Sequence, residues 1–151
     1  MPREPSPPEL AEAKARGLHE IGEAAAASGV SAKMIRHYEA IGLTPAAVRS
    51  SAGYRLYGEP DIARLQFIHR ARSLGFSTRQ IQLLLELWSD RSRASADVKR
   101  LALAHAEELG EKIAQMQAMQ RTLQTLARQC HGDARPDCPI LDDLARNEKT
   151  P

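Results

Sequence analysis

Aromatic side chains make up only 4% of this 151-residue chain, so a core of stacked rings is excluded and helices packed through Leu, Ile and Ala are favoured. No apolar run approaches the ~20 residues needed to span a bilayer, and no signal-peptide apolar segment is visible. The protein is therefore expected to be soluble and cytoplasmic, without a membrane partner. Catalytic constellations are lacking as well: no nucleophile–base pair, Gly-rich phosphate loop or carboxylate dyad can be read, which argues against an enzyme. Cysteine is limited to Cys130 and Cys138. Two thiolates suffice for a soft ion of low coordination number but not for a closed structural zinc site, which takes four ligands.

The length allows one ordinary domain, or a small domain plus an extended element. The net charge of +2 is unevenly placed. Between Ser31 and Arg100, twelve Lys/Arg stand against six Asp/Glu, a balance of +6, whereas residues 1–30 and 101–151 each carry −2. A basic middle between acidic flanks suits contact with a polyanion, the alternative being an ordinary solvated surface.

Residues 1–17 hold prolines at positions 2, 5, 7 and 8, then Ala, Glu and Lys, and read as a disordered or weakly helical N-terminal extension. Residues 18–88 read as a winged helix-turn-helix. A short helix from Ile21 is stopped by Gly29; a second, capped by Ser31 and ended by Gly42, runs through Ala40. Two short helices joined by a tight turn form the helix-turn-helix, and the second gathers Lys33, Arg36, His37 and Tyr38 as a major-groove recognition helix would. The stretch Arg49-Ser50-Ser51-Ala52-Gly53-Tyr54-Arg55 then reads as a two-stranded wing. Its Arg49, Tyr54 and Arg55 suit phosphate contacts, though a hairpin whose arginines face water has the same pattern. A helix over Pro60–Gly75 and one capped by Ser77 over Thr78–Trp88 complete this part. Trp88 is expected in core or hinge packing, and Arg64, Arg70 and Arg72 meet phosphate or water.

From Ser95 to Gln129 there is no proline and the one glycine is Gly110. From Leu109 the apolar positions Ile113, Met116, Met119, Leu123, Leu126 and Cys130 follow at spacings of 4, 3, 3, 4, 3 and 4, close to a coiled-coil seam; His105 weakens it upstream. Such a helix is ~50 Å long at 1.5 Å per residue, more than a chain this small can bury alone. A two-fold homodimer with antiparallel helices is expected. That pairing would set the loop and short helix at 130–144 beside the start of the partner's long helix. Residues 145–151 read as a flexible tail.

The run Ile21–Tyr38 ending Ile35-Arg36-His37-Tyr38-Glu39, then Gly42-Leu43, the Arg49…Gly53-Tyr54-Arg55 wing and Ala71-Arg72…Leu74-Gly75-Phe76, resembles the MerR family of transcriptional regulators from about Leu18 to Leu144. Within that family, Ser95-Ala96-Asp97-Val98-Lys99 and the Cys130…Cys138-Pro139-Ile140 loop resemble the copper-efflux (CueR/HmrR-type) subgroup. The resemblance implies a mainly α protein: a winged helix-turn-helix DNA-binding domain, a long antiparallel coiled-coil dimerisation helix and a C-terminal metal-binding loop. It implies a homodimer on double-stranded promoter DNA with an over-long spacer, held inactive without metal. With metal, the DNA is bent and untwisted so that RNA polymerase engages both promoter elements. Deforming DNA costs on the order of a few kcal/mol, within reach of a change in protein shape.

The same resemblance assigns Cys130 and Cys138 as metal ligands and makes Ser95 the selectivity position. Relatives that sense divalent ions carry there a cysteine that reaches the partner's site. Ser95 withholds that ligand, so Cu(I), Ag(I) or Au(I) is favoured over Zn(II) as effector. A monovalent ion on two thiolates carries −1, for which Lys99 and the N-terminus of the long helix are compensating sources, while Pro139 and Ile140 exclude water. His131 is the neighbouring candidate for a third ligand. The Cys/His-rich tail of some copper members is not expected here. A competing function class is a thiol–disulfide redox switch using the same pair. A drug-sensing member would call for a larger effector domain.

Overall fold

Seven α-helices and three short strands make up the described residues, 4–146, of the computed structural model. The chain divides between Ala94 and Ser95 into two units. The first contains α1 (Leu10–Ala15), β1 (His19–Glu20), α2 (Ile21–Ser28), α3 (Ala32–Ala40), β2 (Val48–Arg49), β3 (Arg55–Tyr57), α4 (Glu59–Ser73) and α5 (Thr78–Ser89). The second contains α6 (Ser95–Gln129) and α7 (Pro139–Ala145).

Local chemistry sets the helix limits in the first unit. Gly29 adopts φ +79°, a left-handed conformation that ends α2 at little steric cost. Ser31 then caps α3, its Oγ accepting from the Met34 amide at 3.2 Å. At α5 the capping is reciprocal: Ser77 Oγ accepts from the Gln80 amide at 3.2 Å and Gln80 Oε1 accepts from the Ser77 amide at 2.8 Å. The Asp61 carboxylate accepts from the Gly58 amide at 2.8 Å, and Pro60 sits in the first turn of α4, where its missing N–H costs nothing. Ile35 and Tyr38 of α3, Ile62, Leu65 and Ile68 of α4, and Ile81 and Leu85 of α5 are buried in one cluster, each set at three- or four-residue spacing.

The strands form an antiparallel sheet in the order β1-β3-β2, with His19 opposite Tyr57, Val48 opposite Leu56 and Arg49 opposite Arg55. The wing hairpin is thus β2 and β3, and β1 is an additional strand from the residues before the first helix of the motif.

Within the stretch 1–17, read as a disordered or weakly helical extension, residues 10–15 take the helical alternative: Ala13 is fully buried, and the Leu18 amide donates to the Ala13 carbonyl at 3.0 Å. Lys14 Nζ lies 3.4 Å from Glu20 and 3.6 Å from Glu23. One buried methyl and a few salt bridges leave no apolar periodicity, which is why composition alone suggests disorder. Residues 1–3 lie outside the described residues.

In the second unit α6 runs 35 residues, and Leu109, Ile113, Met116, Met119 and Leu123 are exposed along it. The loop after Gln129 leads to α7, which packs against α6 and has Pro139 in its first turn. Of the tail expected over 145–151, residues 147–151 lie outside the described residues. No helix among the described residues is long and apolar enough to cross a membrane.

Candidate metal centre and nucleic-acid interface

The period of α3 sorts its side chains into two sets. Ile35 and Tyr38, three apart, face inward; Lys33, Arg36 and His37 share the exposed side. The outward set presents two permanent cations and a histidine on one helix face, suited to base edges and phosphates in a groove. Tyr38 does not belong to it. At 4% exposure it is part of the core, with the His37 ring centroid 6.1 Å from its own, and its assignment as a DNA-contacting residue is corrected to a packing role. The burial follows from its ring being apolar and in register with Ile35.

The wing is held by its own hydrogen bonds. Gly53 at φ +87° makes the turn, the Ser50 amide donates to the Tyr54 carbonyl at 2.8 Å, and buried Ser50 Oγ accepts from the Tyr54 amide at 3.1 Å. Arg49 is exposed, and its guanidinium donates to the Gly53 carbonyl at 2.8 Å; Tyr54 is exposed beside the tip. Arg55 is less available. Its Nε donates to Glu39 Oε2 at 3.0 Å, both side chains being largely covered, and Glu39 Oε1 accepts from the Ala47 amide at 3.4 Å. That pair ties the end of α3 to the wing, so Arg55 fixes the angle between these two elements. Beneath it Tyr57 is buried, which is the main cause of its hydroxyl pKa being raised, with the nearby Glu39 carboxylate adding to the effect.

Glu39 and Ser50 are positioning residues that the sequence reading did not single out. Glu39 had a signal: it is an acid on α3, in a segment otherwise dominated by cations, and such an acid calls for an internal partner. Ser50 had a weaker one, a small hydroxyl three residues before the turn glycine.

Cys130 continues the last turn of α6, its amide donating to the Leu126 and Ala127 carbonyls at 3.2 Å each. Cys138 stands at the N-cap of α7, its carbonyl accepting from the Asp142 amide at 3.0 Å. Both thiols are unpaired and half-buried. Between them Gly132 takes φ +66°, and the Asp133 carboxylate accepts from the Arg135 amide and from its Nε, each at 2.9 Å. Two helix ends thus frame the cysteine pair. His131 beside Cys130 is exposed, and among the described residues no group of three or more His, Cys, Asp or Glu side chains is gathered for a metal. The donor set fits a soft ion with two ligands. Ser95 and Lys99 are exposed in the first turns of α6, ~50 Å from Cys130 along the same helix.

Two family models match the chain: "MerR HTH family regulatory protein" over residues 20–88 and "MerR, DNA binding" over residues 62–126. The HTH-type transcriptional regulator HmrR of Sinorhizobium medicae is 60% identical over 126 residues, covering 83% of this chain and 86% of that protein. The regulator CueR of Escherichia coli is 38% identical over 125 residues, covering 83% and 93%. Among solved structures, the transcription regulator PbrR691 of Ralstonia metallidurans, in complex with lead(II), superposes with a TM-score of 0.71 at 32% identity, covering 84% of this chain and 99% of that one. A helix-turn-helix with a small wing and a long following helix, matched at this level, is sufficient: the chain belongs to the MerR family of helix-turn-helix DNA-binding transcriptional regulators.

Proposed function

We propose that the protein is a cytoplasmic, homodimeric, metal-responsive regulator that binds promoter DNA and activates copper-efflux and detoxification genes in response to Cu(I), or its congeners Ag(I) and Au(I). One observation carries the reading: Cys130 ends the stripe of apolar positions along α6, whose side chains are exposed at Ile113, Met116, Met119 and Leu123. A second copy covering that stripe in antiparallel fashion buries it and brings its own Ser95 and Lys99 toward the cysteines. Within one chain those residues are ~50 Å away along the helix, so a partner would have to supply them.

Cys130 and Cys138 would hold the ion as thiolates. Held by both, it would cross-link the end of α6 to the start of α7. Lys99 and the α6 N-terminus of the partner would offset the single negative charge, and Ser95 would leave the site without a third sulfur. Lys33, Arg36 and His37 would enter the major groove while Arg49, Tyr54 and Arg55 hold phosphates, so that a change at the dimer helices is transmitted as DNA bending that lets RNA polymerase engage both promoter elements. The similarity to HmrR and CueR, and to a lead-bound structure, supports a metal effector.

Transcription from the adjacent promoter, measured with Cu(I), Ag(I), Zn(II) or an oxidant added, tests this. Activation by the monovalent ions with Zn(II) inactive is expected. Equal activation by Zn(II), or activation by oxidant without metal, would refute it.

A further inference from the structure

The wing tip carries an amide that is already occupied by the chain itself. β2 is an edge strand, and Ser51, the residue after Ser50 in the turn, donates its N–H to the Pro8 carbonyl at 2.9 Å. Residues 4–9 lie outside any helix or strand, with Glu9 at φ −68° and ψ 153°, the extended polyproline geometry. Pro5, Pro7 and Pro8 have no N–H, so the segment offers mainly acceptors and suits the unpaired side of an edge strand. It also carries two carboxylates, Glu4 and Glu9, and no cation. The segment is tethered at close range because α1 follows directly, with Ala13 fully buried.

Backbone amides at exposed turns are ordinary phosphate donors, and Ser51 sits between Arg49 and Tyr54 in the wing. A carbonyl oxygen on that amide accepts the hydrogen bond that a phosphate oxygen would take, and it belongs to a segment of net negative charge, as a phosphate does. We propose that the wing tip is a docking surface for the chain's own residues 4–9, which compete with a DNA phosphate for the Ser51 amide and so lower affinity for DNA. The inference rests on the wing being part of the DNA interface. The tether gives the segment a high effective concentration, so it holds the amide whenever DNA is absent and must be displaced on binding.

Deleting residues 2–8 removes the Pro8 carbonyl but keeps Glu9, the N-cap of α1, whose own carbonyl accepts from the buried Ala13 amide at 2.8 Å. Its effect can be measured on the full homodimer by titrating a duplex of the adjacent promoter and an unrelated duplex across salt concentrations. Affinity of the truncated protein is expected to rise about 3–10-fold on both duplexes, with the salt slope steeper by about one phosphate, because one hydrogen bond and one phosphate contact change hands. Hydrogen exchange gives a second reading: the Ser51 amide of the full chain without DNA is protected, and the truncation releases it. Unchanged or weaker binding by a truncated protein of unaltered melting temperature would overturn the inference alone, as would an unprotected Ser51 amide in the full chain. Failure of both proteins to bind either duplex would overturn the DNA-interface reading and the inference with it.

Discussion

Arg36 and Tyr38 stand two positions apart on α3 and answer to different energies. Tyr38 is a core ring, so Tyr38→Ala leaves a cavity and should lower unfolding free energy by about 3–5 kcal/mol, as measured by denaturant titration. Arg36 is exposed, so Arg36→Ala should change stability by no more than ~0.5 kcal/mol. It should instead weaken promoter binding, by an amount that shrinks as salt rises if the contact is to phosphate. The distinction was legible from period alone, since Tyr38 lies three residues after Ile35 and four after Met34; grouping it with the cations followed its hydroxyl and not its ring. The cysteines were simpler to find because there are only two. Cys130→Ser or Cys138→Ser should abolish metal-induced transcription while leaving DNA affinity nearly intact, because neither residue lies in the first unit. Normal induction by either variant would remove the pair from the site.

At the scale of elements, what could be read was whatever local chemistry dictates: the Ser31 and Ser77 caps, the Gly29 stop, the Gly53 turn and the proline-free span of α6. What could not be read depends on distant partners. β1 is two residues long and exists because β3 pairs with it, and α1 rests on one alanine. His19 shows how such pieces are stitched. Its Nδ1 lies 3.0 Å from Glu23 Oε2 on α2 and its Nε2 lies 3.6 Å from Glu59 Oε1 on α4. The hydrogen bond to Glu23 raises the His19 pKa above its ordinary 6.5, and the same bond lowers that of Glu23 below 4.5. The His19 share of stability is therefore fully present below pH 6.5 and is lost as pH rises through its raised value. The Glu23 share is present above 4.5 and fades as pH falls through its depressed value. Melting temperatures of the protein and of His19→Ala should differ most between those two pH values and converge on either side. A constant difference across the range would show that the ring acts by packing alone.

For the whole molecule, the decisive geometry is the length of α6. Ser95 and Cys130 bracket a 35-residue helix, ~50 Å end to end, and no bend of a continuous helix brings them together. If Ser95 governs which ion the cysteine pair accepts, it must do so across a two-fold, from the other subunit. Ser95→Cys then adds a third sulfur to each loop and should extend the response to Zn(II), a divalent ion that prefers more thiolate and imidazole ligands than two. The subunit of origin can be tested directly. In a heterodimer, one subunit carries Ser95→Cys together with Cys130→Ser and Cys138→Ser, and the other is unchanged. If the new thiol acts across the dimer, it joins the unchanged subunit's intact pair, and that single loop should bind Zn(II). If it acted within its own chain it would face two serines, and zinc binding would fall to that of the unchanged protein. The contrast needs no promoter, since zinc affinity of the purified heterodimer reads it. It also separates the dimer from the metal: a heterodimer that assembles yet gains no zinc site would keep the long-helix pairing and reject the role of Ser95.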